Sequence, residues 1–124
     1  MITDTFLRNS ARAMAGESHV YPNYLLTSTS EALVSIGTQA TSLPDETGDR
    51  LPLTTTRTGR QLNYVATRTP AFVVDGTNGD RITAAGLSSA SSGTDLHAGF
   101  VIGGITHTTN FNIEFDFGIL VDRA

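Results

Sequence analysis

The sequence predicts an all-β domain, a sandwich or jelly-roll-like fold with one short N-terminal α-helix. Three observations predict it. Thr and Ser crowd the stretch from Thr27 to Thr69 and Gly numbers 12, while Lys is absent and Glu and Gln are few. Thr suits strands, and Gly and Ser suit turns. Short apolar runs alternate with turn formers at the spacing of roughly eight to twelve residues that marks sandwiches and barrels. Finally, Phe111, Ile113, Phe115, Phe117, Ile119 and Val121 take every odd position near the C-terminus, with Asn112, Glu114, Asp116 and Asp122 at even ones. Strict period-two alternation is a strand with one buried and one wet face.

The first element is the helix. Leu7, Ala11 and Met14 fall at i, i+4 and i+7, with Ile2 and Phe6 beside that stripe, the spacing of one helical face. Thr3 or Asp4 caps its start and Gly16 ends it. A helix this short needs a surface to dock on. That surface is either one end of the sheet core or a neighbouring subunit. Residues 1–17 therefore form a helical arm and residues 18–124 a single β-sandwich domain.

A strand is expected near Tyr24 to Thr27 and a weaker element near Leu33. The stretch from Gly37 to Gly48 is a loop. Leu53 to Thr58 is a Thr-rich strand that turns at Gly59. In Arg60 to Thr69, Leu62, Tyr64 and Ala66 share one side, and Gln61, Asn63 and Thr67 the other. Pro70 stops that run, since proline cannot donate to a ladder. Phe72 to Val74 is a short apolar strand or its continuation. Ile82 to Ala90 is a strand of small residues. Leu96, Ala98, Phe100 and Ile102 alternate on the next, and Gly103-Gly104 and His107 to Asn110 surround the following turn.

Composition narrows the function. The chain has 124 residues and no Cys, so disulfides, thiolate metal sites and a cysteine nucleophile are excluded. No stretch approaches the ~18 apolar residues of a membrane helix. Asp4, Arg8, Asn9 and Arg12 interrupt the apolar positions of the N-terminus, unlike a signal peptide. A soluble protein with no membrane insertion is expected. Net charge is −4, and all eight cations are Arg with no basic run, which argues against nucleic acid as a partner. Arg without Lys fits a GC-rich genome or a halophilic host.

The motifs of catalysis are missing. There is no Gly-x-Ser-x-Gly elbow, Walker loop, dinucleotide fingerprint or His-Glu-x-x-His. His19, His97 and His107 lie far apart, and His107 reads as a surface residue. Glu114 and Asp116 are spaced like a glycosidase pair, but ordinary solvation of an exposed strand face is the favoured explanation. If a neighbouring subunit covers that face, Arg57, Arg60 or Arg68 would be their partners. Asp75, Asn78 and Asp80 offer oxygens for calcium without the EF-hand spacing, and a turn accounts for them. The acidic group Asp45, Glu46 and Asp49 reads as a solvated loop. No catalytic residue, metal or cofactor is expected, and Tyr21 and Tyr24 are the aromatics available to a surface contact.

Several segments carry a resemblance. They are the N-terminal helix, Ile36 to Thr38, a strand ending in Ala66-Thr67, Ile82-Thr-Ala-Ala-Gly-Leu87, Gly93-Thr-Asp-Leu-His-Ala98, and the alternating run Phe111 to Val121. Together, from about Thr3 to Arg123, they resemble small virion proteins of tailed bacterial and archaeal viruses. Those proteins carry a Gly-Leu-Phe-(Asn/Asp)-Ala strand before the last one. Here Gly86-Leu87-Ser88-Ser89-Ala90 has Ser at the Phe and Asn positions. The resemblance implies a non-enzymatic β-sandwich subunit of the capsid exterior or tail, assembled in the host cytoplasm. Its implied partners are copies of itself, other virion proteins and a host surface glycan or receptor. Phe6, Leu7, Met14, Tyr21 and Tyr24 are the expected interface. The alternative is a monomeric carbohydrate- or surface-binding module.

Overall fold

A computed structural model describes residues 1–30 and 37–120. The weak element expected near Leu33, and the end of the last alternating run from Val121, lie outside the described residues. The fold is all-β with one helix, as expected. Helix α1 spans Asp4–Met14 and is followed by β1 (Tyr24–Ser28), β2 (Leu51–Pro52), β3 (Thr54–Thr58), β4 (Gln61–Arg68), β5 (Asp80–Ser88), β6 (Ala98–His107) and β7 (Ile113–Leu120). Two sheets result, ordered β2-β1-β5-β6 and β3-β4-β7, with every pair antiparallel.

The alternating residues set the main core. Tyr64, Ala66, Phe115 and Ile119 of one sheet pack against Leu25, Leu51, Ile82 and Leu87 of the other. Phe100 stacks on Phe117 between the sheets, ring centroids 4.3 Å apart. Glu114 and Asp116 remain exposed on β7, opposite Thr67 and Val65. The four-stranded sheet is also covered on its outer face, where Leu43 and Leu96 pack on Leu26 and Ala84. Double coverage explains why β5 is built from Ala and Gly and is buried almost throughout. A Cβ at Gly86 would sit 2.8 Å from Leu96 Cδ1 and 3.0 Å from the Ala98 carbonyl, so that position admits no side chain without rearrangement.

Three elements differ from expectation. Phe72 to Val74 is not a strand; Pro70–Phe72 is a 3-10 turn. Pro70 fixes its own φ for such a turn and has no N–H for a ladder. The Val74 and Asp75 amides donate to the Asp80 carboxylate instead. Gly103-Gly104 is not a turn either, because β6 runs through it. Ile82 pairs with Ile105 but Ala84 pairs with Val101, so the intervening β6 residues bulge opposite Thr83. Gly103 and Gly104 adopt φ of 82° and 95° there, a conformation that glycine alone takes readily. The bulge changes which face each residue meets: Ile82 and Ala85 share the main core, while Ala84 faces the outer cluster. The third is β2, whose two residues are too few to show a period.

The helix forms where expected but docks differently. Its Leu7-Ala11-Met14 stripe faces outward, with Leu7 58% and Met14 90% exposed. Phe6 packs on the main core together with Ile2. Asn9 is buried, donating from Nδ2 to the Thr5 carbonyl and accepting the Val20 N–H at Oδ1. Thr3 occupies the N-cap position, yet its side chain makes no cap. Its hydroxyl donates to the Leu96 and His97 carbonyls, and its N–H bonds the His97 carbonyl at 3.0 Å. Residues 1–3 thus lie along the β6 edge, with Ile2 bridged to Ala98, and the arm is tied into the sandwich.

Candidate functional site

A cleft of about 540 Å³ opens between α1, the Val20 to Asn23 segment and the face of β3–β4 that carries Thr55, Leu62 and Tyr64. That volume lies in the range of small-molecule sites. Of the expected interface residues, Phe6, Met14 and Tyr21 line it. Leu7 stands on the outer face of the helix, and Tyr24 is half-buried in β1. Tyr21 is 62% exposed, with its ring edge-on to His19 at 4.7 Å and its hydroxyl in contact with His19 Nε2. The segment between α1 and β1 therefore presents an aromatic group at the cleft.

Three buried polar side chains also line the cleft: Tyr64, His97 and Asn9, the last with its amide already engaged by Thr5 and Val20. Tyr64 is 3% exposed; its ring packs in the core, and its hydroxyl has no hydrogen-bond partner among the described residues. Burial raises the pKa of that hydroxyl above its ordinary value. His97 is fully buried, edge-on to Phe6. Its Nε2 lies 3.0 Å from Asp95 Oδ1, but neither ring nitrogen forms a hydrogen bond, so the contact is close without being aligned. Burial lowers the His97 pKa below its ordinary 6.5, against the opposing pull of Asp95.

A pH dependence follows. In the unfolded chain His97 takes up a proton as pH falls through about 6.5, whereas the folded protein resists that proton. Stability is therefore full above that value and declines as pH drops toward the lowered folded pKa, by at most about 1.4 kcal/mol per pH unit. Urea unfolding midpoints measured from pH 7.5 to 5 are expected to fall, and His97→Gln to flatten that slope. An unchanged slope in His97→Gln would assign the dependence elsewhere.

The other candidates are committed to structure. His107 is buried, not at the surface: its Nδ1 accepts from Arg68 at 2.7 Å and its Nε2 donates to the Phe111 carbonyl at 2.7 Å. Arg68 is fully buried as well, donating to Asp80 Oδ2 at 2.7 Å and to the Phe72 carbonyl at 3.0 Å. It is therefore removed as a partner for Glu114 and Asp116. Burial pushes the Asp80 pKa up, but the Asp75 and Val74 amides and Arg68 outweigh it and leave it lowered. Asp75 accepts from the Thr77 and Asn78 amides, an Asx turn rather than a cation site. Glu46 holds Arg50 through two bonds of 2.9 and 3.0 Å. No group of three metal-ligating side chains occurs among the described residues. No described helix is long and apolar enough to cross a membrane.

Sequence reasoning found the aromatic and apolar residues of the cleft but missed its polar pair. Tyr64 reads as a core residue from its alternation, and His97 stands alone in sequence. Only the fold brings residues 6, 64 and 97 together. Comparison with known protein families, curated proteins and solved structures gives no match.

Proposed function

We propose that this protein is a structural subunit of a virion that assembles with copies of itself into a symmetric oligomer, on the capsid exterior or in the tail. The observation that carries the assembly reading is the helix stripe. Leu7, Ala11 and Met14 are exposed on a helix whose other side already serves the core. Val20 and Tyr21, 48% and 62% exposed, add to the apolar surface near Met14. A contiguous exposed apolar patch marks an interaction site, and repeated self-contacts close into rings. The virion setting is supported by the resemblance of Ile82 to Leu87, Gly93 to Ala98 and Phe111 to Val121 to small virion proteins of tailed viruses.

Light scattering in low and in multimolar salt tests the assembly. A defined trimer, pentamer or hexamer is expected, and Leu7→Glu with Met14→Glu is expected to yield a folded monomer. Substitution is preferable to deleting residues 1–16, since deletion would also remove Phe6 and the Thr3 anchor. A monomeric wild type in both salts would favour the second reading, a monomeric carbohydrate- or surface-binding module. The exposed ring of Tyr21 at the cleft supports that reading, and a glycan array checks it.

A further inference from the structure

We propose that the cleft beside α1 is a binding site for a small neutral ring compound carrying one polar substituent, of the phenol class, with the Tyr64 hydroxyl as its hydrogen-bond partner. The cleft shares Met14, Val20 and Tyr21 with the apolar surface of the assembly reading, while Leu7 and Ala11 lie outside its walls, so the binding test and the light-scattering test can fail separately. Three observations select the ligand.

The first is charge. None of the residues lining the cleft is Asp, Glu, Lys or Arg. An ionised ligand entering it would lose its hydration without gaining a counter-charge. The second is shape and surface. Phe6, Met14, Leu62 and the rings of Tyr21 and Tyr64 offer apolar walls around about 540 Å³, which suits a ring better than an extended polar chain.

The third is the polar inventory. Asn9 has both ends of its amide engaged, with the Thr5 carbonyl and the Val20 amide. The ring of Tyr64 is buried, but its hydroxyl makes no hydrogen bond among the described residues and is not among the sealed, unpaired polar atoms, so it opens to the cleft; the fully buried His97 ring has neither nitrogen bonded. A hydroxyl that opens onto an otherwise apolar cleft wall and has no bond within the chain is a place for one incoming polar atom. Ser10 and Asn23 also line the cleft but donate to the Phe6 and Ser89 carbonyls, so a pyranose brings more hydroxyls than the remaining polar groups of the walls can pair. A single phenolic or alcohol group matches what the cleft lacks.

The test titrates the 124-residue protein with phenol, with toluene as the apolar analogue and glucose as the polyhydroxyl one, following chemical shifts by NMR. Phenol is expected to bind saturably, with shifts confined to residues around Phe6, Tyr21 and Tyr64. Tyr64→Phe removes only the hydroxyl and is expected to weaken phenol about three- to ten-fold, the worth of one hydrogen bond, while leaving toluene unchanged. Ala13→Leu fills the cleft from the helix side and is expected to abolish binding of both. Phenol affinity unaltered in Tyr64→Phe, shifts persisting in Ala13→Leu, or glucose binding in preference to phenol would each overturn the proposal.

Discussion

Arg68→Met is expected to cost about 3–5 kcal/mol of folding stability, the scale for breaking a buried ion pair by removing one partner. The guanidinium is fully buried and serves Asp80, His107 and the Phe72 carbonyl together. Without it, Asp80 keeps a negative charge at a site 6% exposed. The His107 Nδ1 also loses its donor. Asp80→Asn alone is expected to be costly for the converse reason, since it leaves the guanidinium unpaired. Combined in one chain, the two substitutions should cost less than their sum by roughly 0.5–3 kcal/mol, the range for residues sharing one network. Urea unfolding at pH 7, with the slope m held constant, measures all three. A single-variant loss below about 1 kcal/mol would show that the cluster is not the staple its contacts suggest.

Phe115→Ala is expected to cost about 3–5 kcal/mol by the same measurement, as deletion of a buried aromatic leaves a cavity as well as losing its transfer energy. Phe115 is 5% exposed in the main core and packs beside Phe117, ring centroids 6.2 Å apart. Phe111 provides the contrast. It belongs to the same alternating run but lies before β7 begins and is 41% exposed. Phe111→Ala is expected to cost under about 1 kcal/mol, because its carbonyl bond to His107 survives the substitution and what is lost is one tilted ring contact with His107, centroids 5.3 Å apart, made by a side chain already partly exposed. Equal losses at the two positions would contradict the placement of the strand boundary.

That pair of residues shows where the sequence was readable. Period-two alternation located β4 and β7 and assigned Tyr64, Ala66, Phe115 and Ile119 to the core, because on a regular strand side-chain direction follows parity. Parity fails where the backbone stops being regular. At Thr83 the bulge exchanges faces, so the inward residues of β5 change from even to odd, and Gly103-Gly104 imitates a turn while lying inside a strand. The buried cluster was hidden for another reason. Arg68, Asp80 and His107 are polar residues that pattern reading assigns to solvent, and each is buried only because the others answer its charge or hydrogen bonds. The helix was legible as a helix but its docking side was not, because Phe6 and the Leu7 stripe flank each other and periodicity cannot rank two adjacent apolar faces. In the cleft, the apolar walls were visible in sequence; the meeting of Tyr64 with His97 was not.

The tie between Thr3 and residues 96 and 97 bears on how the chain folds as it is made. The long partner of β1 is β5, β4 pairs with β7 as well as β3, and the arm's partner is the start of β6. Of the early strands, β3 and β4 form the one hairpin closed by a tight turn. Residues 1–3 must therefore wait until residues 96–98, some 94 positions later, have left the ribosome before they gain their docking surface. Topologies dominated by such distant pairings fold in milliseconds to seconds. During that interval Phe6, Leu25 and Leu26 lack the surfaces that cover them in the folded protein, and transiently exposed apolar surface of this kind is prone to aggregation.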